Sequence, residues 1–116
     1  MYRVLKRDGN IADFDLQKIK LAMIKAFDAV NVRYVSDIID ILSLKVTADF
    51  EPKIKNGLVS VEDIQDSVEV VLLQAGYVAV AKAYILYRKQ REKARSVNST
   101  ILDYKEVVDK YVKLND

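Results

Sequence analysis

The chain has 116 residues, 51% hydrophobic and 31% charged, with a formal net charge of +2 and neither Cys nor His. That length suits one domain with a real core, and the composition is that of a folded, helix-rich protein rather than a disordered one. Without Cys and His there is no thiol or imidazole chemistry, no disulfide and none of the usual zinc sites, and no apolar run approaches membrane-spanning length.

Lys6, Arg7 and Asp8 interrupt any apolar N-terminal stretch, which argues against a signal peptide and makes a cytoplasmic location the expectation. The charge is unevenly placed. Residues 1–25 carry six cations and three anions, residues 26–79 four and nine, and residues 80–95 six and one. If the two basic ends meet in space, they suit a compact anion such as a triphosphate. A long nucleic-acid track would want a broader basic surface.

In chain order, Tyr2, Val4 and Lys6 alternate with Arg3, Leu5 and Arg7 as a strand does. Asp8-Gly9 is a hairpin signal of the type I′ kind, and Ile11 and Phe14 supply the apolar contacts of a short returning strand. Asp15 is the expected N-cap of a first helix. Its core face runs through Leu16, Ile19, Met23, Ala26, Phe27 and Val30, and Asn31 ends it. Ser36 is the expected cap of a second helix, with Ile38, Ile39, Leu42, Val46 and Phe50 inward and Pro52 at or just beyond its end. Lys53 to Gly57 reads as a polar connection, and Leu58-Val59 as a third strand beside the hairpin.

Ser60, with Asp63 three residues on, caps a third helix whose face is Ile64, Val68, Val71, Leu72 and Ala75, and Gly76 is its C′ stop. A fourth helix is expected over about 78–95, with Ala81, Tyr84, Ile85 and Arg88 along one side. Ser96 to Thr100 reads as a linker, and residues 101–114 as one more amphipathic helix without a clear packing partner.

Several of these stretches, in order, resemble the ATP-cone family: Val4-x-Lys6-Arg7-Asp8-Gly9, Phe14-Asp15, Lys18-Ile19, Val61 to Asp66, Gly76, and Val80-Ala81-x-Ala83-Tyr84-Ile85-x-Tyr87-Arg88. ATP-cones are regulatory nucleotide-binding modules of ribonucleotide reductases and of a repressor of reductase genes. The run Tyr84 to Arg91 into Ser96 to Ser99 is similar to the junction with the catalytic domain of an anaerobic (class III) ribonucleoside-triphosphate reductase. A cone at residues 1–95 and a linker and helix at 96–116, leading toward that catalytic domain, are the expected divisions. The repressor is disfavoured, because it would place a Cys-bearing zinc ribbon before the cone.

The resemblance implies an α+β, mostly helical fold: a four-helix bundle capped by a small three-stranded sheet, with the nucleotide between hairpin and bundle. It implies ATP or dATP as allosteric ligand, with Mg²⁺ arriving on the phosphates. Activity would switch through nucleotide-dependent conformation or homo-oligomerisation, acting on the catalytic domain of the same chain. No nucleic acid, membrane, resident metal or catalytic residue is expected, and no Walker-type run exists for ATP hydrolysis. The acids Glu62, Asp63, Asp66 and Glu69 read as a cap and a solvated face.

Carried onto this sequence, the family's site names Lys6 and Arg7 for the triphosphate and Lys18 reaching back from the first helix. Val4 and Ile19 line the base pocket, and Val61 and Gln65 face sugar and phosphates. Lys89 and Arg91 flank the position of a further phosphate-binding cation. Asp15 has two roles open to it, as helix cap and as acceptor for the adenine amino group. The rival readings are the repressor's cone, a helical nucleic-acid-binding domain using the cations of 80–95, and a pure protein-interaction bundle.

Overall fold

A computed structural model describes residues 2–94. Two compact units divide the chain, residues 1–85 and 86–116. The first holds a three-stranded sheet of order β2-β1-β3, with β1 (Arg3–Leu5) antiparallel to β2 (Ile11–Asp13) and parallel to β3 (Leu58–Ser60). Helices α1 (Leu16–Ala29), α2 (Ser36–Phe50) and α3 (Val61–Gln74) follow the strands, and residues 78–94, here α4, are helical. This is the mostly helical α+β fold with a small sheet that the sequence led to. The expected linker and last helix, residues 96–116, lie outside the described residues.

The hairpin differs from expectation in its turn. Gly9 N–H donates to Lys6 C=O at 3.1 Å, and Lys6 N–H donates to Asn10 C=O at 2.8 Å. Gly9 has φ +89°, while neither Arg7 nor Asp8 is left-handed. The loop is therefore three residues, Arg7–Gly9, built on a type I turn with a left-handed glycine closing it. The two-residue type I′ turn occurs elsewhere, at Asn56-Gly57, with φ 54° and 72° and reciprocal bonds between Lys55 and Leu58 at 2.9 and 3.0 Å. A 3₁₀ turn over Glu51–Lys53 follows α2, and the stretch expected as a polar connection, Lys53 to Gly57, ends in this tight reversal into β3.

Helix ends follow local chemistry. Asp15 accepts from Gln17 N–H at 3.0 Å and Ser60 from Asp63 N–H at 3.1 Å, as N-caps do. Ser36 is not a cap: Val35 holds that position without a side-chain bond, and Ser36 is the first helical residue. Asn31 (φ 55°) and Gly76 (φ 87°) close α1 and α3 in left-handed geometry. After each, the next N–H returns to the carbonyl five residues back, Val32 to Phe27 at 3.1 Å and Tyr77 to Leu72 at 2.9 Å, which is the Schellman arrangement.

The core joins Ile19, Met23 and Phe27 of α1, Leu42, Val46 and Phe50 of α2, and Val68 and Leu72 of α3 to Val59, Val80, Ala81 and Tyr84. Tyr2, Phe14 and Phe50 form one aromatic cluster with centroids 4.7–5.8 Å apart, fixing the hairpin to the C-terminal end of α2. Ile11 does not join it; at 52% exposure it faces solvent, as does Ala75. Short β2 ends before Phe14, so Phe14 alone makes the inward contact expected of the returning strand.

Candidate functional site

A cleft of about 200 Å³ opens where the sheet meets the N-terminal ends of α1 and α3. The central strand brings Val4, and Lys6 follows directly after its end. Strand parity puts them on one face, and the register sets Ala12 opposite Val4, a small residue that leaves the floor low. From the start of α1 come Asp15, Lys18 and Ile19, and from α3 Val61 and Gln65. Ile64, Val68 and Tyr84 complete a largely apolar interior.

These three elements gather seven of the ten residues singled out above. Lys6 and Lys18 are exposed, so their ammonium groups stand on an apolar hollow with access to solvent. Val61 is the first residue of α3 and Lys18 sits within the first turn of α1. Two helix N-termini therefore face the cleft, each with one N–H already taken by its cap, Asp15 or Ser60. The cleft's volume is below the roughly 300–1,000 Å³ of pockets that enclose drug-sized ligands.

The other three candidates stand differently. Arg7 turns away from the strand at the hairpin tip and reaches α3. There its Nη2 donates to Gln65 Oε1 at 2.9 Å, and its Nε lies 3.4 Å from Glu62 Oε1. It touches the cleft through Gln65 and is not itself a lining residue. Lys89 and Arg91 belong to the second unit, where Arg91 Nη1 donates to the Tyr87 hydroxyl at 2.9 Å and its guanidinium lies 5.7 Å from that ring's centroid.

Seven lining residues were not singled out from the sequence as site residues, and three of them, Asp13, Phe14 and Tyr84, are informative. Phe14 stood inside a quoted motif but read only as a hairpin contact. Asp13, paired with Arg3 at 3.3 Å, follows from the pairing register, which alternation alone does not give. Tyr84 is a core residue as read, 5% exposed, and a wall of the cleft as well.

Two acids of α3 have separate cationic neighbours: Glu62 has Arg7, and Asp63, a first-turn residue, lies 3.8 Å from Lys53. Among the described residues no group of three or more His, Cys, Asp or Glu side chains could hold a metal ion. Asp8, at the hairpin tip, accepts from the backbone and the side-chain amide of Asn10, both at 2.9 Å. Chiefly that backbone bond holds its carboxyl below the ordinary range, with Lys6 adding to the effect.

Residues 2–93 match the family described as the ATP cone domain. Among similar proteins, the ribonucleoside-diphosphate reductase subunit alpha of Chlamydia pneumoniae is 40% identical over 100 residues, covering 80% of this chain and 10% of that protein. The vitamin B12-dependent ribonucleoside-diphosphate reductase of Mycobacterium tuberculosis is 34% identical over 99 residues, 85% of this chain and 14% of that one. The anaerobic ribonucleoside-triphosphate reductase of Haemophilus influenzae is 34% identical over 103 residues, 86% of this chain and 14% of that one. The chain thus spans only a small part of the length of these relatives.

Proposed function

The chain belongs to the ATP-cone family, and on that premise we propose that it is the nucleotide-sensing regulatory module of a ribonucleotide reductase, binding ATP or dATP in the cleft described above. The observation that carries this reading is the convergence of Val4, Lys6, Asp15, Lys18, Ile19, Val61 and Gln65, from three separate stretches, on one apolar cleft flanked by two exposed lysines. The adenine ring takes the apolar floor between Val4 and Ile19. Lys6 and Lys18 take the phosphates, which bring Mg²⁺ with them. Asp15 keeps its capping bond and has a second carboxylate oxygen for the adenine amino group.

In this reading the chain performs no reaction of its own. The reductase is of the anaerobic class, cytoplasmic, and the partner is the catalytic domain of the same chain. ATP and dATP differ by one hydroxyl. Each shifts the module's equilibrium only by its differential affinity for two states, read out as a change of pose or assembly.

Calorimetry with ATP, dATP and a short DNA duplex tests the reading. The expected result is saturable binding of both nucleotides and none of the duplex. Each lysine gives a charge-assisted bond of about 1.5–3 kcal/mol, so Lys6→Ala with Lys18→Ala weakens binding by about a hundredfold or more while leaving the circular dichroism unchanged. Absence of nucleotide binding at millimolar ligand would sink the proposal, and duplex binding would favour the nucleic-acid rival.

A further inference from the structure

The Arg7 side chain is only 17% exposed although it springs from a hairpin tip. Its guanidinium lies on α3, between Gln65 Oε1 and Glu62 Oε1. A guanidinium has five N–H donors and no acceptor. The Gln65 amide therefore has one admissible orientation, with oxygen toward Arg7. The flipped amide would set N–H against N–H. An ambiguity that a glutamine ordinarily leaves open is closed here by the chemistry of its neighbour. Gln65 also lines the cleft, and the end of its amide not engaged by Arg7 is Nε2, which carries two donors.

We infer that Arg7 is a positioning residue. It fixes the Gln65 amide so that donors, not the acceptor, are offered to an oxygen of the bound nucleotide, on the ribose or the phosphates. Glu62 balances the guanidinium from beside it, so Arg7 holds this place without needing the ligand's charge. The polar lining then sorts by sign. Lys6, Lys18 and Gln65 donate, while Asp15 accepts. This inference rests on the nucleotide-binding reading and gives Arg7 an indirect role where the sequence suggested a direct phosphate contact.

The test is a double-mutant cycle on the 116-residue chain, read by calorimetry with ATP and with adenosine, alongside ¹⁵N NMR of the Gln65 side-chain amide in the free protein. Gln65→Glu keeps an acceptor for Arg7 but loses the donors, and ATP binding falls at least about tenfold. Arg7→Met costs about as much as Gln65→Ala, the pair together costs no more than either alone, and Arg7→Lys, which keeps a donor, recovers most of the loss. If the two losses multiply, Arg7 contacts the ligand independently and the inference fails. A Gln65→Ala loss that persists with adenosine assigns the oxygen to the ribose, and one confined to ATP assigns it to phosphate. Should the wild-type chain bind no adenine nucleotide, the functional reading fails separately. The amide signals still decide whether Arg7 orients Gln65: ordered in wild type and Arg7→Lys but mobile in Arg7→Met supports the positioning role, and equal mobility in all three overturns it.

Discussion

Asp8 shows how much one side chain does at the hairpin tip. Its carboxylate accepts twice from Asn10, and the bond from the Asn10 backbone, more than the nearby Lys6, lowers its pKa below the ordinary 3.8. A carboxyl whose folded pKa is depressed contributes stability above its unfolded pKa and loses it as pH falls through the folded one. Hairpin amide shifts are therefore expected to change in acid below that ordinary value, and Asp8→Asn to abolish the change, by NMR titration. Tyr2 goes the other way. Burial first, then the Glu51 carboxylate, raises its phenol above 10.0, against a smaller lowering by a hydrogen bond with Thr47. Its contribution is complete below the unfolded pKa and is lost as pH rises through the folded one. The Tyr2 ring resonances should titrate late, and Tyr2→Phe should flatten that part of the alkaline stability profile. The family resemblance named Lys6 and Arg7 together, and strand parity left open which of them would face the cleft; Lys6 lines it and Arg7 does not. Alternation sends adjacent residues to opposite faces, but where β1 stops, after Leu5, is decided by the turn that follows.

Among the elements, the helix ends were the most legible because their chemistry is local. Asp15, Asn31, Ser60 and Gly76 each do what their residue type does best. A Cβ added at Gly76 would meet nothing within 4 Å, so the cost of Gly76→Ala is that of the left-handed backbone alone, about 1–2 kcal/mol. Ser60→Ala should cost about 1 kcal/mol through the lost cap. Urea unfolding measures both, and no effect at Gly76 would mean that α3 does not end in this geometry. Turns were harder to read. Asp-Gly and Asn-Gly carry similar propensities, but which of them closes a two-residue loop depends on the strand pairing around it. Asn56-Gly57 has Lys55 and Leu58 paired across it, whereas Asp8-Gly9 lies in a loop one residue longer. The Ser36 expectation failed by one residue: Val35, a poor N-cap by residue type, holds that position without a side-chain bond.

At the scale of the molecule, helical periodicity was enough to find the core, because Met23, Phe27, Val46, Phe50 and Leu72 recur at spacings that only one face of a helix satisfies. Removing one of them tests this: Phe50→Ala, at the centre of the aromatic cluster, should cost about 3–5 kcal/mol by urea unfolding. The cleft was less legible than the core, since its walls come from residues more than forty positions apart, and Phe14 and Tyr84 look like ordinary packing until the sheet is placed. Mass measurements of the chain with ATP and then with dATP test the proposed switching. Different masses are expected, and equal ones would leave no assembly change in the isolated chain. The strand order also bears on how the protein folds. β1 is the central strand and leads the chain, but its parallel partner is β3, so Arg3 must wait for Leu58 and Leu5 for Ser60. The hairpin, α1 and α2 can all form on local contacts, whereas closing the sheet carries the entropy of a long loop. Because Ser60 is both the last residue of β3 and the cap of α3, that single late closure seats the helix bearing Gln65. On topology alone, the cleft is therefore expected to be completed only when the sheet closes.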